Sequence, residues 1–410
     1  MTASATLEGG PAARTERAFP GLDGLRTVAA TAVVFHHVGF WTNHYTPDLA
    51  GRVLSRLDVG VPIFFVLSGF LLSRPLFAAA RRGVRQPGTA GYLWRRALRI
   101  LPAYWLTVIA ALCLLPGNKD AGVGSWISHL TLTQIYRNSG RAAEGLSHAW
   151  SLCTEVAFYL ALPLVAAALV RLSRRSPERP GRILAALAVG LLVGPAWLVW
   201  VWSTHADSGM DVWLPGFTGW FAAGMAVALL SVSDPSWRPV RLAAELGSSL
   251  PTCWAASGVL FWMATSSIAG PQTLLHPLPA EAAVKNVLYT GVAALLVLPL
   301  VFGDQQEGWV RRALSSAPAR FLGEISYGLF LVHVVVITGG YALLGWPTFT
   351  GSFFFVIIGT LTISVTIATV VYLLVERPLR RWRGLIGRTR GRTPTSSEAT
   401  TAPRATTTSS

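Results

Sequence analysis

Arg26-Thr-Val-Ala-Ala-Thr-Ala-Val-Val-Phe-His36-His37-Val-Gly-Phe40 decides the reading of this chain. It is an apolar run of helical length, yet it opens with an arginine and carries two histidines. Ionisable groups within a membrane span are costly and mark function by default. Arg26 and His37 are eleven residues apart. At about 100° per residue they share one stripe, with a rise of roughly 16 Å, about half a hydrocarbon core. His36 lies about 80° from Arg26 and is the weaker candidate. A cation at one membrane face and an imidazole at mid-depth describe a site that begins at the surface and ends inside.

The rest of the chain has the same character. Its 410 residues are 52% hydrophobic and 13% charged, with a mean hydropathy of +0.48. Soluble domains carry about 25% charged residues. The fold class expected is all-α, a polytopic membrane protein with about ten transmembrane helices. The spans read as 24–43, 57–77, 97–115, 149–170, 183–203, 211–231, 250–269, 284–303, 321–343 and 352–375. The first twenty residues lack a signal-peptide pattern, so the first span should be retained. Residues 1–20 read as a disordered cytoplasmic arm, 21–383 as the membrane domain and 384–410 as a disordered cytoplasmic tail.

Orientation follows from the basic residues. With the N-terminus inside, 27 fall in inside segments and 6 in outside segments. That is the positive-inside pattern, with both termini cytoplasmic. It accounts for the net charge of +15 without a nucleic-acid partner. Cys113, Cys153 and Cys253 have no CxxC spacing, so neither a disulfide framework nor a metal site is indicated.

Other polar residues at membrane depth carry two readings each. Arg96 and Arg99, at i and i+3, share a helix face at the cytoplasmic end of the third span. They suit either a phosphate or anionic headgroups, and spacing alone favours headgroups. Ser68 and Gly69 read as close-packing residues. Glu155 lies less than two turns into the fourth span and needs a partner. His37 is at a plausible depth to be that partner, as in the acid–imidazole pair of a triad. His148 shares a face with Glu155 if the helix is continuous. His333, alone in the ninth span, reads first as a packing group. Glu376-Arg-Pro378 reads as a structural stop. The longest outside segment, 116–148, carries Trp126, His129, Tyr136 and Arg137. It reads equally as a sugar-holding loop and as an interfacial anchor.

Five blocks together resemble the acyltransferase-3 family of bacterial integral-membrane acyltransferases. They are Leu22-Asp-Gly-Leu-Arg26 with His37; Phe64-Phe-Val-Leu-Ser-Gly-Phe70; Arg96-x-x-Arg99 before Pro102-Ala-Tyr104; Trp150-Ser-Leu152 with Glu155; and Leu322-Gly-Glu-Ile-Ser-Tyr327 with His333, then Glu376-Arg-Pro378. They occur in order over residues 22 to about 382. Pro62 and Val156 stand where many members carry acidic residues.

The resemblance implies transfer of an acyl group, commonly acetyl, from cytoplasmic acyl-coenzyme A to a hydroxyl of a glycan, glycolipid or natural product. Within it, Arg26, Arg96 and Arg99 hold the donor, His37 and Glu155 are catalytic, and Trp150, His148 and His333 face the acceptor. His37 would act as general base or as the nucleophile that carries the acyl group. No metal is implied, and the location would be a bacterial cytoplasmic membrane. A proton-coupled secondary transporter is the alternative that buried Arg, His and Glu allow, although no internal duplication is visible.

Overall fold

The computed structural model describes residues 19–84, 88–137, 142–173, 180–272, 275–304 and 307–386. The two terminal segments expected to be disordered lie almost wholly outside these residues. Among the described residues the protein is all-α, a polytopic membrane protein without strands.

Each expected span is a helix. They are α1 (Pro20–Trp41), α3 (Gly60–Arg81), α4 (Thr89–Leu114), α6 (Trp150–Ser173), α7 (Gly181–Thr204), α8 (Leu214–Ser231), α10 (Leu250–Ala264), α11 (Pro279–Phe302), α13 (Ala317–Leu344) and α14 (Phe353–Val371). Shorter helices fill the connections: α2 (Leu49–Arg56), α5 (Val123–Leu130), α9 (Arg238–Ser248), α12 (Trp309–Leu314) and α15 (Arg377–Leu379). Eight helical segments are long and apolar enough to cross a bilayer by themselves. The two expected spans outside that set are α1, diluted by Asp23, Arg26 and two histidines, and α10. The 15 residues of α10 rise only about 22 Å.

Local chemistry sets the boundaries. Asp48 caps α2 by accepting from the Gly51 amide at 2.9 Å. Ser316 caps α13, which ends at Gly345 with φ of +65°, where a side chain would be strained. Pro378 does not end the last helix as expected. A π-helical turn, Tyr372–Glu376, leads into α15 and then a 3₁₀ turn through Gly384. Among the described residues Arg380, rather than Arg377, forms the ion pair at this end, with Glu324 at 3.4 Å.

The core is built by α3 against α8, α7 against α8, α1 against α13, and α13 against α14. The expected packing role of Gly69 holds, because a Cβ there would collide with the Phe221 carbonyl of α8. One turn further along the same contact, a Cβ on Gly224 would collide with the Val66 carbonyl. Small residues are what let membrane helices approach this closely. Phe65 and Phe158 stack on either side of Phe221, with centroids 4.6 and 3.9 Å away.

Candidate active site

Side chains from α1, α3, α4, α6 and α13 line a narrow cleft within the bundle, with a free volume of about 70 Å³. Arg26, Arg96, Arg99 and Glu155 meet there, with Ser68, Tyr159 and Tyr327. Helix α4 starts at Thr89, so Arg96 and Arg99 are carried inside a formed helix, on one face. Arg26 pairs with Asp23 at 3.0 Å, three residues back on α1. The Arg96 Nε is buried and has no hydrogen-bond partner among the described residues. Three guanidinium groups around one concavity favour an anion. The last helical turns add to this charge. Trp94 Nε1 donates to the Trp382 carbonyl at 2.9 Å and so ties that segment to α4. Arg383 then lies within electrostatic range of Arg96 and Arg99.

Glu155 departs from the expectation. Its Oε1 accepts from Ser68 Oγ and, at 2.6 Å, from the Tyr159 hydroxyl. It acts electrostatically on Arg26 and Arg96. No hydrogen bond or ion pair joins it to His37 among the described residues. The expected pairing fails because Glu155 points into the arginine cavity, whereas His37 faces α13. His148 and Glu155 also do not converge. Ser147–Ala149 is a 3₁₀ turn, so the α-helical register assumed for positions 148 and 155 does not apply.

His37 instead joins His333 and His148. Its ring centroid lies 4.9 Å from that of His333 and 6.1 Å from that of His148, and the latter two are 4.9 Å apart. The hydrogen bonds fix a consistent set of tautomers. The His333 Nδ1–H donates to the Phe330 carbonyl at 2.6 Å, which leaves Nε2 as an acceptor. His37 Nδ1 lies 3.2 Å from that Nε2 and 2.9 Å from the Val33 carbonyl, so it carries the proton. His37 Nε2 is then the unprotonated nitrogen, and it has no partner among the described residues. His148 Nε2–H donates to the Leu331 carbonyl at 3.1 Å, and its buried Nδ1 is left unpartnered. His36 is engaged differently, with Nδ1 2.8 Å from the Tyr45 hydroxyl, which donates to the His36 carbonyl.

The histidines sit behind the wall of the arginine cavity. Phe64 and Phe330 both line that cavity, with rings 6.1 Å apart, and Phe330 lies 5.1 Å from the ring of His148. Trp150, expected to face the acceptor, lines a second cavity with Val61 of α3, Phe217 and Trp220 of α8 and Lys285 and Tyr289 of α11. In the loop 116–148, among the described residues, His129 and Arg137 are committed to partners within the loop itself. Its His129 is 2% exposed and bridges Ser125 and the Ala143 amide. Burial lowers its pKa and keeps it neutral. Arg137 donates to the Gly124 carbonyl at 2.5 Å.

Sequence reading missed Ser68 and Tyr159 as partners of Glu155, and it missed the second cavity altogether. One signal was available. Lysine is nearly absent from the chain, yet Lys285 stands near the start of α11, and it pairs with Asp58 at 2.7 Å.

The profile of the acyltransferase domain matches residues 19–369. Acyltransferase MdmB of Streptomyces mycarofaciens is 27% identical over 402 residues, covering 90% of this chain and 93% of that protein. Nodulation protein 10 of Rhizobium leguminosarum is 26% identical, covering 88% and 93%. O-acetyltransferase OatA of Staphylococcus aureus is 24% identical over 89% of this chain, which spans only 58% of the OatA length. No solved structure gives a significant match. With an arginine-lined cavity, a histidine cluster behind it and a match over most of its length, the chain is an enzyme of the membrane acyltransferase family defined by that domain.

Proposed function

We propose that this protein moves an acyl group from acyl-coenzyme A, bound at the cytoplasmic face, to a hydroxyl of an acceptor that arrives from the opposite side. The termini would be cytoplasmic and the membrane a bacterial plasma membrane. One observation carries the reading: three arginines line one cavity, and an imidazole with a free nitrogen stands just beyond its aromatic wall.

Arg96, Arg99 and Arg26 would hold the phosphates, and Arg383 would extend the cationic rim. Arginine suits phosphate because its planar fork donates two parallel hydrogen bonds. The pantetheine arm would run past Ser68 and Tyr159 towards Phe64 and Phe330. Glu155 compensates the guanidinium charges and orients Ser68 and Tyr159.

His37 Nε2 then acts as general base. It takes the acceptor hydroxyl proton as that oxygen attacks the thioester carbonyl. The C–S bond breaks, and the thiolate leaving group recovers the proton from the imidazolium. His333 holds the reactive tautomer by accepting from His37 Nδ1–H, the task an acid performs in a triad. A neutral imidazole is a weaker stabiliser of the imidazolium than a carboxylate, but it needs no charge at membrane depth.

The test is thiol release from acetyl-coenzyme A by purified protein in lipid nanodiscs, with membrane extract supplied as acceptor source. Wild type and His36→Ala should release thiol, and His37→Ala should not. Equal release by His37→Ala and wild type overturns the assignment.

A further inference from the structure

Asp58 carries a charge inside the bundle that the catalytic scheme leaves unused. It lies in the turn Leu57–Val59, which joins α2 to α3. That turn is held against α1, because a Cβ on Gly60 would collide with the Ala29 carbonyl and the Val33 side chain. The carbonyl of the same Val33 receives the His37 Nδ1–H. The Leu54 carbonyl, one turn before Asp58, lies 3.3 Å from His36 Nδ1. Asp58 therefore stands beside the part of α1 that bears the histidines. Charge at membrane depth is costly and marks function by default.

The carboxylate is held ionised and has a direction. Lys285 Nζ donates to its Oδ2 at 2.7 Å, and the Tyr289 hydroxyl donates to its Oδ1. A structural ion pair could face either way. Here the carboxylate end is turned to α1: it outweighs the Lys285 ammonium at His36, and it also reaches His37.

The other groups around His37 are neutral or cationic. His36 faces it from α1 itself, His333 from α13 and His148 from the turn before α6. Packed on α1, α2 brings Arg52 and Arg56, and Arg56 is spent on the Ala264 and Gly270 carbonyls. The remaining acids of the neighbouring helices are engaged elsewhere. Asp23 pairs with Arg26, Glu155 lies in the arginine cavity, Glu324 pairs with Arg380, and Glu281 caps α11.

We propose that Asp58 is a positioning residue for acyl transfer: it is the fixed negative charge that stabilises the imidazolium formed on His37. The proposal rests on the reading of His37 as general base. When His37 Nε2 takes the acceptor hydroxyl proton, a cation appears among neutral imidazoles. The oxygen attacks the thioester carbonyl, the C–S bond breaks, and the thiolate takes the proton back. Stabilisation is needed between those two proton transfers, and a charge already in place supplies it without reorganisation. Lys285 sets its strength. It keeps the carboxylate ionised and tempers its field, so that the resting imidazole stays neutral and basic.

The experiment follows thiol release from saturating acetyl-coenzyme A as a function of pH, with the full chain in nanodiscs and membrane extract as acceptor source. Activity falls on the acid side as His37 becomes protonated. Asp58→Asn keeps the shape of the side chain and removes its charge. Its plateau kcat should fall about tenfold and its acid limb should move about one pH unit lower, the worth of a unit charge at short range in an effective dielectric of about 20. Lys285→Gln releases the carboxylate from its counter-charge, and its acid limb should move the other way, to higher pH. A packing role would lower the plateau and leave the limb in place. An unmoved limb in Asp58→Asn, or two variants shifted in the same direction, overturns the proposal. If Asp58→Asn does not fold, Lys285→Gln decides alone: a limb moved to higher pH supports the proposal, and an unmoved one overturns it. Full activity in His37→Ala would instead sink the reading of His37 as base. A silent His37→Ala beside an Asp58→Asn that behaves as wild type sinks only the role of Asp58.

Discussion

His333 Nε2 lies 3.2 Å from His37 Nδ1, and the other nitrogen of His333 donates to the Phe330 carbonyl at 2.6 Å. Together with the Val33 carbonyl, 2.9 Å from the same Nδ1, this contact fixes which nitrogen of His37 is basic. Because His333 touches no reacting atom, it is a positioning residue. Removing the base in His37→Ala should lower kcat by about 10²–10⁴, the usual contribution of general base catalysis. His333→Ala should lower kcat about fivefold, through one lost hydrogen bond of about 1 kcal/mol, while the Val33 carbonyl at 2.9 Å still holds the proton on Nδ1. His333→Gln keeps an acceptor at that position and should recover most of the loss. Thiol release in nanodiscs checks all three, and failure of the glutamine to rescue would argue for a packing role alone.

The arginines make a separate prediction. Arg96→Lys and Arg99→Lys keep the charge and remove the bidentate fork. KM for acetyl-coenzyme A should rise about 10- to 100-fold in each, the worth of one charge-assisted pair, with kcat little changed. Acetyl-pantetheine lacks the nucleotide phosphates, so its kinetics should be the same in wild type and variants. An equal defect with both donors would show that the arginines shape the fold rather than bind phosphate.

Glu155 distinguishes two schemes. If it charged the His37 imidazole, Glu155→Gln would cut kcat as severely as loss of a triad acid. The geometry, with Glu155 bonded to Ser68 and Tyr159 among the arginines, gives another outcome. Glutamine should preserve at least one of these bonds and remove the negative charge that competes with phosphate. KM for the donor should fall or stay level, and kcat should drop less than in His333→Ala. Steady-state kinetics with saturating membrane extract separates the two parameters.

Close packing of α3 on α8 predicts a stability defect without a local kinetic one. Gly224→Ala puts a methyl group against the Val66 carbonyl, a backbone atom that cannot swing aside. Overpacking of this kind costs about 1–3 kcal/mol. The melting temperature in detergent should fall, while KM for acetyl-coenzyme A in the surviving folded protein should be unchanged. A wild-type melting temperature would mean that the helices separate at no cost.

Much of the fold could be read from hydropathy, because a 3.6-residue apolar helix is the main answer a bilayer allows. The spans resting on composition alone were placed to within a few residues at most ends. At α4 the helix extends eight residues further, through the charged turn that holds Arg95 and Arg96. Arg26 stood out as a cation inside a span, whereas Arg96 and Arg99, which spacing alone assigned to headgroups, were read as donor-binding only through the family resemblance. The partnership of His37 was misread because helix periodicity says which residues share a face, but not which neighbouring helix that face meets. His333 is 296 positions from His37, and only the packing of α1 on α13 joins them. Trp150 was expected to face the acceptor, whereas Trp202 and Trp220, which line the same cavity, were not singled out. Their convergence depends on how α6, α7 and α8 are assembled.

The aromatic wall should set acyl length. Phe64 and Phe330 stand between the cavity that holds the arginines and the cluster that holds His37. The acyl group of a bound donor must lie against these rings while the thioester meets His37 Nε2. Phe330→Leu keeps an apolar side chain beside His148 and opens space along the acyl path. Each methylene that gains burial contributes about 0.8 kcal/mol, close to fourfold in kcat/KM. Phe330→Leu should therefore raise kcat/KM for butyryl- relative to acetyl-coenzyme A by roughly fifteenfold for the two added methylenes. Competition between the two donors, with acylated products counted by mass spectrometry, measures the ratio directly. An unchanged ratio with intact activity would mean that the acyl chain travels another way, and the Phe64–Phe330 pair would then be packing alone.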